Sequence, residues 1–370
     1  MRIRKPTIIQ WLSQESYADD RGWKTDKPRK ETEHSDIVKE RICTLKEKRN
    51  EGGYFVGSDY VQMDYAKKFK GDPAPSTWFI EEVVRDAGLQ TRKPKGNKKS
   101  GGSKYLLFPE QSVKNLGKIH QSADFIGKKY IAGRTEPINI FSSAYYSPFK
   151  LFQINRVEAE KAIYAIETLT AGWRVFPIPN VFRMDNGLQF RGTASGKRAV
   201  GMCLRFLLNL AVTPLFGSPS KPWTNPSIEG HNRTFNEKIW ATNHFENLDQ
   251  IDIECNRFNR ESLEYFAYKY ASIVDNHNHR HISKGFEPVT DKLVTTKDRK
   301  VYFIRFAESY EHGCPAYIDI LNEKVQIPEK YTHQFVFAEW DIEHEVLSIF
   351  SEFEGNSTLI CQRKFTLNLK

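Results

Sequence analysis

The fold is decided by three short apolar segments that are separated by turn residues: ADFIGKKYI (123–131), PINIFSSA (137–144) and FKLFQI (149–154). β-Branched and aromatic residues recur in each segment, and Gly, Pro or Ser lies in each connection. This pattern predicts three strands that follow one another through short turns.

The segments downstream alternate between helical and strand-like patterns. Helices are predicted for VEAEKAIYAIETLTAG (157–172), which ends in glycine, and for ASGKRAVGMCLRFLLNLA (194–211). Strands are predicted for IPNVFRM (178–184) and VTPLF (212–216). A further helix follows, capped by Asn225 with Pro226 at its first position. The order β-β-β-α-β-α-β-α is that of the ribonuclease-H-like fold, a mixed sheet with helices on both faces. We therefore expect a multidomain α/β protein with a ribonuclease-H-like, mixed-sheet catalytic core over residues 120–290.

The region before this core, residues 36–90, has the spacing of short helices. The helical segments are IVKERICTLKEKR (37–49), YVQMDYAKKF (60–69) and the end of GDPAPSTWFIEEVVRDAGL (71–89), where Ser76 can cap a helix. Two short helices joined by a Gly/Pro turn resemble a helix-turn-helix DNA-binding domain. A helical bundle without a DNA role is the alternative, because the second helix is acidic. Residues 1–35 stay unassigned.

A basic linker is predicted over residues 91–119. Its first part, TRKPKGNKKSGGSK (91–104), holds six Lys or Arg residues and no acid, with Gly, Pro and Ser between them. Such a run is often only a solvated spacer. After a DNA-binding module, contact with phosphates is favoured. The candidate contact residues are Lys93, Lys95, Lys98 and Lys99.

The C-terminal region, residues 291–370, alternates apolar and polar residues in short segments: KVYFIRF (300–306), AYIDIL (316–321), HQFVFAEW (333–340), HEVLSIF (344–350) and TLICQRKF (358–365). Turns separate them at even spacing. We expect a small antiparallel β-barrel here.

Composition sets outer limits on the class of protein. The chain has 370 residues, which suggests two or three folded units, and 39% are hydrophobic, which excludes wholesale disorder. The formal net charge is +9. Residues 1–120 hold 25 Lys and Arg against 17 Asp and Glu, so nearly all the excess is N-terminal. A local basic region favours a polyanionic partner.

The five cysteines argue against a zinc or disulfide framework. They are far apart, odd in number and form no CxxC pair, so a reducing compartment is favoured. The N-terminus lacks a signal-peptide core and no run is long enough for a membrane helix. We expect a cytoplasmic protein without membrane contact.

Three acidic residues occupy positions where this fold can bring side chains together. Asp124 lies inside the first strand, Asp185 begins the turn DNG after a later strand, and Glu229 lies in the first turn of the helix after the last core strand. Each has an ordinary explanation: a solvated edge, a common turn residue and a favourable helix-dipole position. Converging carboxylates would repel one another, and a divalent cation removes that conflict. Oxygen ligands favour Mg²⁺ or Mn²⁺ over zinc.

The segments around these residues resemble the D, D, E motif of the retroviral-integrase superfamily, and bacterial insertion-sequence transposases above all. The matching segments are DFIGKKYI, FRMDNGLQF and NPSIEGHNRT, and VDNHNHRHISKGFEPVT (274–290) is similar to the tail that follows this core. The gap from Asp185 to Glu229 holds 43 residues, longer than is usual in the family, and Gly230 stands where Arg is common. Glu237 is the alternative third carboxylate.

The resemblance implies a DNA transposase with a two-metal mechanism. Asp124 would bridge two Mg²⁺ or Mn²⁺ ions, with Asp185 on one and Glu229 on the other. Water would free a 3′-hydroxyl at the element end, and that hydroxyl would attack target DNA. Asn232 and Arg233 are further candidate DNA contacts, and Trp223 is a candidate for stacking on a base or for loop packing.

The implied partners are double-stranded DNA, at element ends and target, and further copies of the chain, since two ends must meet. An accessory ATPase is a further candidate partner. A non-catalytic DNA-binding regulator and a metal-dependent nuclease without strand transfer are the alternatives. The glycine-rich segments do not fit GxxxxGK[ST], which argues against ATP hydrolysis by this chain.

Overall fold

The computed structural model describes residues 35–90, 108–192, 196–221, 224–274, 279–309 and 315–368, with side chains to residue 270 in the fourth range. Lys93, Lys95, Lys98, Lys99 and Trp223 lie outside the described residues. The chain divides into two compact units, Met1–Lys93 and Pro94–Lys370. Within the described ranges, every helix is too short or too polar to span a membrane.

The first unit contains three helices, α1 (Asp36–Gly52), α2 (Ser58–Lys68) and α3 (Thr77–Asp86). Each contributes an apolar side chain with no exposed surface, namely Ile42, Val61 and Ile80, to a common core. The Ser76 hydroxyl accepts a hydrogen bond of 3.2 Å from the N–H of Phe79, so it caps α3 as the sequence predicts. The predicted helices are present, and the DNA-binding role remains a prediction.

The second unit is built on a mixed sheet. Among the described residues its strands are β1 (His120–Lys129), β2 (Ile138–Ser147), β3 (Leu151–Val157), β4 (Val181–Met184), β5 (Thr213–Phe216), β6 (Lys300–Phe306), β9 (Phe335–Asp341), β10 (Val346–Phe353) and β11 (Asn356–Lys364). Their order across the sheet is β11-β10-β9-β6-β5-β4-β1-β2-β3. A separate ribbon pairs β7 (Ala316–Ile320) with β8 (Glu323–Ile327).

The strand directions divide this sheet into three parts. Strands β1, β2 and β3 form an antiparallel meander, as the sequence predicts. Strands β1, β4, β5 and β6 are parallel to one another. Strands β6, β9, β10 and β11 are antiparallel neighbours. The parallel centre therefore joins the N-terminal and C-terminal parts of the second unit.

Helices of the second unit cover the sheet and its edge. They are α4 (Glu110–Lys114), α5 (Ala162–Val175), α6 (Leu188–Arg191), α7 (Met202–Asn209), α8 (Pro226–Phe235), which continues as a π-helical turn (Asn236–Trp240), and α9 (Leu248–Val274). Trp173 of α5 stacks on Phe206 of α7 with ring centroids 5.5 Å apart. This stack packs α5 against α7 within the core that covers β4.

The C-terminal strands join the main sheet, which corrects the prediction of a separate β-barrel over residues 291–370. Leu215 of β5 pairs with Tyr302 of β6, and one hydrophobic core includes Phe182 and Trp340. Consecutive residues in a strand point to opposite faces, and both Phe303 and Ile304 are fully buried. Both faces of strand β6 must therefore be buried, and a large sheet with side chains packed on both faces provides this burial.

The outer edge of β3 is satisfied by side chains of α9. The Asn259 amide accepts a hydrogen bond from the N–H of Ile154 and donates one to its carbonyl, each 2.8 Å long. The Ser262 hydroxyl accepts the N–H of Phe152 at 2.9 Å. Arg156 makes a two-point ion pair with Asp252. These contacts replace the neighbouring strand that an edge strand otherwise lacks.

We predict that Asn259→Ala lowers the free energy of unfolding by about 2 kcal/mol, because both backbone groups of Ile154 lose their partner. Urea unfolding followed by circular dichroism measures the change. Asn256→Ala, at an exposed position of the same helix, is the matched control and should change stability by less than about 0.5 kcal/mol. Equal effects of the two substitutions would contradict the edge-capping role.

Candidate functional site

The register of two parallel strands brings Asp124 and Asp185 together. Ser122 of β1 pairs with Arg183 of β4. Two residues further along each strand come Asp124 and, directly after the end of β4, Asp185. Since parallel neighbours lie about 4.8 Å apart, the two acidic residues occupy adjacent positions at the carboxyl end of β4.

The turn after β4 fixes the Asp185 carboxylate. Its Oδ1 accepts a hydrogen bond of 2.9 Å from the N–H of Gly187. Asn186 between them donates its Nδ2 to the carbonyl of Gly217 at 2.8 Å. The DNG sequence thus forms a turn in which the aspartate bonds its own backbone two residues on. Hydrogen bonds therefore hold both Asp185 and Asn186 in the turn, and the Asp185 residue keeps part of its surface exposed.

Glu229 lies in the first turn of α8, which begins with Pro226. The α8 side chains next to Glu229 fix the helix on the sheet. His231 Nδ1 lies 2.9 Å from the Ser142 hydroxyl of β2, and Asn232 Nδ2 donates to Asp124 Oδ2 at 2.9 Å. Residues three apart share a helix face, so Glu229 lies on the same face as Asn232, which contacts Asp124.

The three carboxylates act on one another electrostatically. Burial raises the pKa of Asp124 to about 7, with further contributions from the negative charges of Asp185 and Glu229, while hydrogen bonds from Phe125 N–H and Asn232 oppose this rise. Burial and then the charge of Asp185 raise the pKa of Glu229. Burial raises the pKa of Asp185, and the hydrogen bond from the Gly187 N–H opposes this rise.

The donor set fits a hard divalent cation. It consists of carboxylate oxygens, and none of the ion pairs among the described residues involves Asp124, Asp185 or Glu229. The negative charge is therefore uncompensated by Lys or Arg, and oxygen ligands suit Mg²⁺ or Mn²⁺. The part of the chain that the structure describes holds no ready-made group of three acidic, His or Cys side chains at ligating distance.

The other predicted site residues lie in different surroundings. Asn232 is 8% exposed and contacts Asp124, so its side chain faces the carboxylates rather than the surface. Arg233 and Glu237 are exposed and lie 3.8 Å apart at the nearest charged atoms. Glu237 is absent from the charges that act on Asp124, in contrast to Glu229.

Two buried arginines support the loops of the site, and sequence reasoning missed both. Arg183 of β4 donates to the carbonyl of Thr224, directly before α8, and Arg305 of β6 donates to Asn186 at 2.8 Å. They are 5% and 3% exposed. A signal was present for Arg183, the lone charged residue of β4, whereas Arg305 fits a polar position of β6, a strand that also contains Lys300. A buried charge is costly unless it makes specific bonds.

Comparisons with known proteins give no family assignment by sequence: no protein-family model and no curated protein matches the chain. Among solved structures, it is similar to the catalytic core domain of BIV integrase, with 15% identity, 41% of this chain and 83% of that chain covered, and a TM-score of 0.27. It is also similar to the simian T-cell lymphotropic virus intasome in complex with PP2A regulatory subunit B56 gamma, with 11% identity, 85% and 95% covered, and a TM-score of 0.32.

We predict that Asp124→Asn stabilises the protein at neutral pH without divalent cations, by about 1–3 kcal/mol, because it removes a charge whose ionisation burial and two carboxylates oppose. The asparagine can still accept the hydrogen bond from Asn232. Thermal unfolding in a chelating buffer measures the change. The control is Asp291→Asn, the same change of charge at an exposed position. An unchanged or lowered midpoint for Asp124→Asn would contradict the mutual repulsion.

Proposed function

We propose that the protein is a metal-dependent DNA transposase or integrase that cleaves element ends and transfers the resulting 3′-hydroxyl into target DNA. The single observation that carries this proposal is the placement of three carboxylates near one another: Asp185 follows β4 beside Asp124 of β1, and Glu229 shares a helix face with Asn232, which bonds Asp124. The charges of Asp185 and Glu229 add to the effect of burial in raising the pKa of Asp124, and none of the ion pairs among the described residues offsets them. That arrangement is costly to folding and is typical of a site that binds divalent cations.

The arrangement of the sheet supports the proposal. Its first five strands have the order β3-β2-β1-β4-β5, with β2 antiparallel to β1 and with β1, β4 and β5 parallel. This is the arrangement we associate with the ribonuclease-H-like fold. Asp124 on the central strand and Asp185 after the adjacent strand are then the expected positions of two catalytic carboxylates.

The three acidic residues would hold the metal ions. Asp124 would share the ions with Asp185 and with Glu229. Bound Mg²⁺ or Mn²⁺ would supply Lewis acidity and positive charge at the scissile phosphate. Asn232 orients the Asp124 carboxylate, and Gly187 N–H orients that of Asp185. Water and then a DNA 3′-hydroxyl would form the new P–O bond as the old P–O3′ bond breaks.

The DNA partner is supported by charge and by the first unit. The basic excess of the sequence lies in residues 1–120, and α1 to α3 form a small helical core of their own. We propose that this unit binds element ends as a helix-turn-helix and that the basic linker contacts phosphates. Assembly of several copies on DNA, which brings two ends together, is part of the same proposal.

We predict that Asp185→Asn and Glu229→Gln each lower Mg²⁺-dependent cleavage and joining at least about 1,000-fold, because each removes a metal-binding charge. DNA affinity should stay within about threefold. The substrate is labelled duplex from the DNA that flanks the gene, with supercoiled plasmid as target, and gel electrophoresis resolves nicked and joined products.

Glu237→Gln is the matched control, since it makes the same change on an exposed position of the helical segment that follows Glu229. It should retain cleavage within about threefold, as surface substitutions usually do. Loss of activity in Glu237→Gln together with retention in Glu229→Gln would assign the third carboxylate to Glu237. DNA binding without any metal-dependent product would favour a regulator, and cleavage without joining would favour a nuclease.

We predict that removal of residues 1–93 lowers affinity for the flanking DNA at least about tenfold, because base contacts by the first unit supply specificity. Metal-dependent nicking of plasmid should persist. Fluorescence anisotropy with specific and scrambled duplexes measures the first effect. Equal discrimination between the two duplexes before and after removal would show that the first unit is not the specificity domain.

A further inference from the structure

Strand β6 carries a guanidinium into the interior of the protein, at the end of the sheet where the Asp185 turn lies. Arg305 is 3% exposed. Its hydrogen-bond partners are backbone and amide oxygens. None of its hydrogen bonds among the described residues goes to an acidic side chain. Burial lowers the pKa of Arg305 to about 9.

The guanidinium uses all three of its nitrogens. Nη2 donates to Asn186 Oδ1 at 2.8 Å, and Nη1 donates to the carbonyl of Gly217 at 2.7 Å and to that of Ile304 at 2.9 Å. Nε donates to the carbonyl of Asp319 at 2.5 Å. These bonds connect the segments that follow β4 and β5 with β6 itself and with β7.

The bonds to Asn186 and Gly217 close a triangle. Asn186 accepts from Arg305 with its oxygen and donates with its nitrogen to the same Gly217 carbonyl that Arg305 contacts. The N–H of Gly217 in turn donates to the carbonyl of Met184 at 2.9 Å. Both sides of the Asn186 amide are therefore fixed, and the amide can take only one orientation.

The effect of Arg305 on Asp185 passes through Asn186. The charges that act on the guanidinium are those of Asp319 and Arg191. Asp185 directly precedes Asn186, so an Asn186 that is free to rotate would release the turn that aims the carboxylate. Arg305 thus holds the turn in place through hydrogen bonds and does not act as a counter-ion for Asp185.

We propose that Arg305 is a positioning residue: by fixing the Asn186–Gly187 turn, it holds the Asp185 carboxylate in place beside Asp124. This extends the site to β6, a strand outside the predicted core of residues 120–290. The consequence for catalysis rests on the proposed function, whereas the effect on the turn does not.

Lysine cannot replace this arginine, although it keeps the charge. The fork of Arg305 reaches partners in four residues at once, while an ammonium is a single point with three donors. Arg305→Lys therefore removes the hydrogen bonds that hold the turn and retains a cation. Asn186→Ala breaks the same triangle from the other side and leaves the buried guanidinium in place, which guards against loss of folding in the first variant.

The experiment measures amide hydrogen exchange of residues 185–189 by mass spectrometry in the full chain, together with Mg²⁺-dependent cleavage. We expect both variants to exchange at least about tenfold faster in this turn, while β1 and β9 stay protected. We expect kcat to fall about 10- to 100-fold with KM for DNA nearly unchanged. The double variant should be no worse than the more severe single variant, because both break one unit.

The matched control is Arg156→Lys, the same substitution at the β3 edge, where the arginine pairs with Asp252. It should leave exchange of the turn and cleavage unchanged. Unchanged exchange of residues 185–189 in both Arg305→Lys and Asn186→Ala would overturn the proposal, and so would a uniform rise in exchange across the sheet. Faster exchange of the turn in both variants, together with a wild-type protein that shows no metal-dependent activity, would uphold the positioning role of Arg305 and refute the proposed function.

Discussion

Repulsion among three carboxylates is the constraint around which the second unit is organised. Burial and the charges of Asp185 and Glu229 oppose ionisation of Asp124, and burial and the charge of Asp185 oppose ionisation of Glu229, so bonds elsewhere must offset their convergence. Asn232 donates a hydrogen bond to Asp124, and the Gly187 N–H donates one to Asp185. Glu229 is held by the packing of α8 on the sheet, where His231 contacts Ser142. A fold that tolerates such a concentration of negative charge has a stable frame and a locally unfavourable site, which is common where chemistry takes place.

The frame combines two parts of the chain that are far apart in sequence. The parallel pairing of β5 with β6 connects the strands that carry the acidic residues to the antiparallel C-terminal strands. Glu352 of β10 also accepts hydrogen bonds from the backbone N–H groups of Gln111 and Ser112 at the start of α4. The C-terminal strands thereby stabilise the beginning of the second unit as well as the sheet.

Much of this organisation could be predicted from the sequence, because it is local. The meander, the alternating helices and strands, the DNG turn and the acidic residues all follow from periodicity and turn chemistry. The pairing of β6 with β5 could not be predicted. The segment KVYFIRF fits a strand of any sheet, and β5 is about 85 residues away in sequence. The sequence predicts Asn232 only as a DNA contact, because nothing in a helical pattern reveals that one amide faces a carboxylate. Arg305 resembled the polar member of an alternating strand.

The shared sheet also bears on how such a gene can evolve. A protein whose domains fold independently can exchange whole domains by genetic recombination. Here strands from both sides of residue 290 lie in one sheet and share one core. A crossover between them would separate partners that have adapted to each other residue by residue, so the two halves are expected to be inherited and to diversify as a single piece.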